Sequence, residues 1–296
     1  MIEFLRWEKH HQIHKPLGSL LCSFTQKFIN SYTIFVNDGD KMLLSIRSAG
    51  PIKLEIPKNV EISKTILYGC NNAGKTSIIR ALLVLLNCRE CLTVYESRRI
   101  HEFTEVFDVH LNSNTNRKPK IARMLTDKIY LSMDNESSIS NNTINIEKHK
   151  DLLNILSDFK FVRKVLEFFK YLDYGISDIY YSGFREDDKW FPVELLPYSY
   201  KRILAMLYAI HNSDLTIIEN FEAGLHVDLI REFIDYITEN YKDKIIVLES
   251  RLGATVRFGL LRNWNVYYVS RENIEKLDIQ KLQVTKIFER EIEALK

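Results

Sequence analysis

The chain has 296 residues, of which 46% are hydrophobic and 27% charged, the balance of an ordinary soluble globular protein. Its net charge of +2 is too small to argue by itself for a nucleic-acid or membrane partner. The length fits one core with elaborations, and the longest apolar run, Ala81 to Leu86, is far below the ~18 residues of a membrane-spanning helix.

The first segment, Met1 to His10, lacks the basic, apolar, small-residue order of a signal peptide. His10, His11 and His14 read as a polar surface stretch. Cysteines at 22, 70, 88 and 91 are too sparse for a disulfide scaffold, so a reduced, cytoplasmic protein is expected. Cys88-Arg-Glu-Cys91 is a single C-x-x-C with no second pair, read as two thiols at a helix end rather than a zinc site.

Tyr32 to Val36 and Met42 to Ile46 flank Asn37-Asp-Gly-Asp40, a hairpin signal, and Pro51 to Ile56 alternates like a half-buried strand. Thr65 to Tyr68 predicts a strand running straight into Gly69, followed by a helix from Lys75 to Leu86 that is apolar on almost every side and therefore buried. Residues 91–190 read as an inserted α+β subdomain, with strands at Lys128 to Met133 and Thr143 to Glu147 and a helix from Asp151 to Tyr171. They carry no sustained heptad pattern, which argues against coiled-coil arms. After a strand at Ile179 to Tyr181, helices at Pro197 to His211, Val227 to Tyr241 and Ala254 to Leu261 alternate with strands at Asp214 to Ile218, Lys244 to Leu248 and Val266 to Val269. Such alternation predicts an α/β fold, a mostly parallel sheet covered on both faces, with ligands at the carboxyl ends of its strands.

One motif carries chemistry. Gly69-Cys-Asn-Asn-Ala-Gly-Lys-Thr76 fits G-x-x-x-x-G-K-[ST] in full and sits between a strand and a buried helix, as the motif requires. Its glycines let backbone N–H groups curl toward phosphate oxygens, and the helix that follows adds its positive end. The candidate cofactor-binding residues are Gly69, Asn71, Asn72, Ala73, Gly74, Lys75, Thr76 and Ser77. Lys75 would face the β and γ phosphates of ATP, and the Thr76 hydroxyl would reach Mg2+.

The loop spelling resembles the ABC-class ATPases of the SMC, RecF and OLD type, and more narrowly the stand-alone prokaryotic AAA-type proteins of that class. Ile217 to His226 is similar to their Walker B and D-loop run I-D-E-x-E-x-G-L-H, and Val247 to Gly253 to their switch segment E-T-H-S-G. The resemblance covers roughly 49–87 and 190–270. It implies a P-loop ABC-ATPase-like core in two halves, 1–90 with an N-terminal antiparallel β segment and 191–270, split by the 91–190 insertion and followed by a charged tail, 271–296.

The departures fall on the chemistry. Glu219 stands where the family has its magnesium-holding aspartate, and Asn220 where it has the glutamate that activates water. Arg251 falls on the switch histidine, and Leu196 to Arg202 replaces L-S-x-G-x-x-[KR] with Pro197 and Ser199 at two signature positions. Glu219 can still hold a magnesium-bound water, Asn220 cannot take a proton, and Glu222 is a substitute acid. The resemblance implies two subunits sandwiching ATP, with hydrolysis slow or partner-dependent, and action on DNA or a partner protein. The substitutions equally suit an ATP-sensing switch with negligible turnover. For DNA the local signal is Arg117, Lys118, Lys120, Arg123 and Lys128, a run that reads just as well as solvated surface.

Overall fold

The computed structural model describes residues 42–100, 107–113, 119–132, 143–172, 175–181 and 183–279. The expected strand Tyr32 to Val36, its turn, the three histidines, Arg117 and Lys118 lie outside these residues. In chain order the strands are β1 (Met42–Ala49), β2 (Ile52–Ile62), β3 (Lys64–Tyr68), β4 (Phe107–Ser113), β5 (Ile121–Leu125), β6 (Lys128–Leu131) and β7 (Thr143–Asn145). They continue as β8 (Ile176–Tyr180), β9 (Gly183–Glu186), β10 (Lys189–Pro192), β11 (Leu215–Glu219), β12 (Ile245–Ser250), β13 (Asn265–Val269) and β14 (Ile274–Leu277). The helices are α1 (Lys75–Leu85), α2 (Val94–Arg98), α3 (His149–Leu156), α4 (Phe159–Tyr171), α5 (Tyr198–His211), α6 (Val227–Asn240) and α7 (Gly253–Leu261).

The main sheet has eight strands in the order β14-β13-β3-β12-β11-β5-β6-β7. Strands β13, β3, β12, β11 and β5 are parallel neighbours, and β14, β6 and β7 close the two ends in antiparallel fashion. Because successive side chains on a strand point to opposite faces, each central strand feeds two cores. Leu67, Ile217 and Val247 pack with Ile78, Ile79, Leu82 and Leu83 of α1 and with the inner residues of β1 and β2. Their neighbours Ile66, Ile218 and Leu248 pack on the other face with residues of α3 to α7.

Sequence and structure differ in four places, the first being that β14, within the segment 271–296 read as a charged tail, closes the main sheet beside β13. Residues 121–171, read as part of an insertion, supply β5, β6 and β7 to the main sheet, and Leu152, Ile155, Phe161 and Phe168 of α3 and α4 to its core. The run Ile-Ala-Arg-Met-Leu of β5 lies beside β11, where only an interior strand fits. Strand β1 has both edges taken, by β2 and β4, in a separate three-stranded antiparallel sheet. Cys88 and Cys91, expected as two thiols, are bonded to each other and buried beneath α1. Among the described residues no helix is long and apolar enough to cross a membrane.

Candidate nucleotide-binding site

The carboxyl ends of β3, β11 and β12 lie side by side, and the sequence motifs meet there. Beyond β3 the chain turns through Gly69 to Gly74 into α1. Gly74 is the residue before the helix, at φ 106°, and a Cβ there would stand 2.4 Å from Ile52 Cγ1. Gly69 holds φ 153°, and a Cβ there would stand 2.3 Å from the carbonyl oxygen of Val269. Both positions exclude any side chain, so the motif glycines are required by close approach of the surrounding backbone and side chains. Asn71 and Asn72 are exposed, and Asn72 takes the left-handed conformation that asparagine tolerates. Its carbonyl accepts from Arg271 Nε at 3.3 Å. Ala73 is buried, and Thr76 and Ser77 are half-buried in the first turn of α1, where N–H groups lack an intrahelical acceptor.

Lys75 is 4% exposed. Its ammonium donates to the carbonyls of Gly69 at 2.5 Å and Cys70 at 2.9 Å and stands 3.5 Å from Glu249 Oε1. Burial pushes its pKa down while Glu249 works against that shift. The other oxygen of Glu249 accepts from the Asn220 N–H at 3.1 Å. Glu249, at the end of β12, therefore joins the phosphate-loop lysine to the end of β11.

Glu219 is 2% exposed and ion-paired through Oε1 with Arg123 Nε at 2.6 Å. Burial raises its pKa against the pull of Arg123, and Glu249 and Glu96 add to the rise. Arg123 is fully buried and binds Glu96 through both terminal nitrogens, at 2.7 and 3.1 Å, and the carbonyl of Cys91 at 3.1 Å. Glu96 is also held by Arg80 of α1 at 2.6 Å and by the cap that its own side chain and Thr93 make at the start of α2. A continuous chain of ion pairs thus runs from the half-buried Arg80 of α1 through the buried Glu96 and Arg123 to Glu219. This removes Arg123 from any nucleic-acid-contacting patch: it pairs two interior carboxylates.

The remaining candidates are less central. Asn220 has φ 51°, and its carbonyl accepts from Arg202 Nη2 at 2.7 Å. Arg202, the last residue of the signature-like segment, is buried and also holds the carbonyl of Thr126 at 2.6 Å, so the start of α5 is tied to the ends of β11 and β5. Glu222 accepts from the Arg251 N–H at 2.8 Å, and its second carboxylate oxygen is buried without a partner. The Arg251 side chain is exposed. Glu96 and Glu249 were not singled out from sequence, and Arg123, whose charge with that of Glu249 falls within an apolar strand, was read there only as part of a basic run. A charge inside the apolar runs of β5 and β12 is the signal that finds the interior roles of Arg123 and Glu249, because a buried charge demands a partner.

Burial by itself would raise the pKa of Glu96, yet the bonds from Arg123, Thr93 and Arg80 outweigh it and hold the carboxyl down at about 2. A carboxyl that binds its proton more weakly in the folded state stabilises the fold above its unfolded pKa, near 4.5, and that stability is lost as the pH falls toward 2. Urea unfolding between pH 7 and pH 3 is expected to show Glu96→Gln less stable than the wild type at neutral pH. The gap should narrow below about pH 4.5. A constant gap would contradict the ion pairing.

A family model described as "AAA domain, putative AbiEii toxin, Type IV TA system" matches residues 89–250, more than half of the chain. The chain belongs to this AAA family. The match begins after the phosphate loop and takes in Arg123, the signature-like helix and the ends of β11 and β12. Solved structures agree on the fold of this AAA protein. It is similar to an SMC head bound to the C-winged helix domain of ScpA, with TM-score 0.51 and 13% identity over 82% of this chain and 99% of that one. It is similar to the SMC head domain from Thermotoga maritima, with TM-score 0.51 and 12% identity over 81% of this chain and 100% of that one. A bacterial Atm1-family ABC exporter with ATP bound matches 88% of this chain and 43% of its own, with TM-score 0.51 and 10% identity. The fold is accordingly that of the P-loop ABC and SMC ATPase domains. No curated protein matches the chain.

Proposed function

We propose that the chain binds ATP with Mg2+ at Gly69–Ser77 and is a slow or partner-dependent ATPase. The supporting observation is the buried Lys75 ammonium at the loop, 3.5 Å from the Glu249 carboxylate at the end of β12. Lys75 would leave its carbonyl and carboxylate partners for the β and γ phosphates, with the first-turn N–H groups of α1 beside it. The donor set also fits magnesium. Thr76 offers a hydroxyl, and Glu219 is a buried carboxylate whose ionisation burial and the neighbouring Glu249 make more costly, which a divalent cation relieves. Arg123 takes one oxygen of Glu219, so Glu219 suits a magnesium-bound water better than direct coordination. When bound, the ion supplies charge stabilisation to the transferring phosphoryl group.

Assembly follows from the same reading. The signature-like start of α5 would meet a second ATP-bound copy, and the chain would act on a partner protein or on DNA. Between these the protein partner has the better support, since Arg123 belongs to the core and a similar SMC head is bound to a domain of ScpA.

Asn220 favours a second reading, an ATP-sensing switch with negligible turnover, because an amide at that place takes no proton. Steady-state phosphate release separates the two. The ATPase reading expects slow but measurable release by the wild type. No release above background by a protein that binds ATP would favour the switch.

A further inference from the structure

We infer that Glu249 is the catalytic carboxylate of this site, taking over the proton-accepting role for which Asn220 is unfit. The inference rests on the ATP-binding reading above and goes further by assigning the base. Three observations carry it. Glu249 is 6% exposed and stands 3.5 Å from the Lys75 ammonium, the group that a P-loop directs at the β and γ phosphates. Its second oxygen takes the backbone N–H of Asn220, so its carboxylate reaches the strand end where a water-activating glutamate would otherwise sit. Glu222, the other acid nearby, is committed through one oxygen to the Arg251 backbone, and its second oxygen is enclosed.

The same contacts set an order of events. Without nucleotide, Lys75 and Glu249 neutralise each other. Once Lys75 turns to a phosphate, Glu249 loses its counter-charge next to the γ-phosphoryl group and is free to accept a hydrogen bond from a water there. As that water attacks, its oxygen forms the new bond to phosphorus and its proton passes to Glu249. The bond from phosphorus to the bridging oxygen breaks, and ADP departs with the electron pair.

A base and a structural partner of Lys75 predict opposite results. Glu249→Gln keeps the volume and can still accept the Asn220 N–H, but it frees Lys75 and takes no proton. It is expected to bind ATP at least as tightly as the wild type by calorimetry, while single-turnover hydrolysis falls ~10²–10⁴-fold. Adding Asn220→Glu to Glu249→Gln is expected to restore hydrolysis, because a carboxylate returns to the neighbouring strand end. The inference is overturned if Glu249→Gln hydrolyses within about threefold of the wild type, or if it loses ATP affinity along with turnover and Asn220→Glu restores neither. Wild-type protein that binds ATP but never hydrolyses it would overturn this assignment and leave the binding site standing. Wild-type protein that binds no ATP would overturn the site itself.

Discussion

Arg123→Ala is expected to destabilise the fold by ~3–5 kcal/mol, the usual consequence of removing one partner from a buried ion pair. The substitution leaves Glu96 and Glu219, each 2% exposed, facing each other with no shared counter-charge. Arg80 still reaches Glu96, but among the described residues Glu219 is left with no other ion pair. It also frees the carbonyl of Cys91 inside the core. Urea unfolding followed by the fluorescence of Trp264, 3% exposed, measures the loss. Arg123→Lys should recover only part of it. One ammonium cannot serve two oxygens of Glu96, Glu219 and a carbonyl from the positions that a planar guanidinium occupies. A loss below ~1 kcal/mol for Arg123→Ala, the range of an exposed pair, would show that this network is not the interior feature described.

Lys75→Ala is expected to weaken ATP binding by roughly 10- to 150-fold, the worth of a hydrogen bond to a charged group. The fold should tolerate the change better than the loss of Arg123. Two of the lysine's partners are loop carbonyls at the mouth of the site, and Glu249 keeps the Asn220 N–H. Calorimetric titration of ATP with Mg2+ into the variant measures the affinity, and unfolding of the same sample measures stability. Unchanged affinity would mean that the lysine does not meet the phosphates.

The alternation of helices and strands from Tyr198 to Val269 was legible because each element is periodic and bounded by turn residues, as in Leu215–Glu219 and Val227–Asn240. The phosphate loop was legible because its glycines are demanded by backbone geometry, which leaves a spacing in the sequence. The place of residues 121–145 was not. Strands β5 to β7 are short, and β5, which carries β6 and β7 into the sheet, pairs with a strand almost a hundred residues away, Arg123 lying opposite Ile217. Charge was misleading for the same reason. Arg123 stands among lysines and arginines along the chain, yet β5 carries it inward against Glu96 and Glu219. Glu249 escaped notice because its significance comes from Lys75 and Asn220, on two other strand ends.

The loop from Gly69 to Ser77, with its lysine and the neighbouring Glu249, is proposed to grip the phosphates of ATP. Calorimetric titration of ATP into the 296-residue chain with and without Mg2+ is the direct test. Saturable uptake that is stronger with the metal is the predicted result. A chain that unfolds cooperatively in urea, and so was folded to begin with, but takes up no adenine nucleotide with Mg2+ present would contradict it.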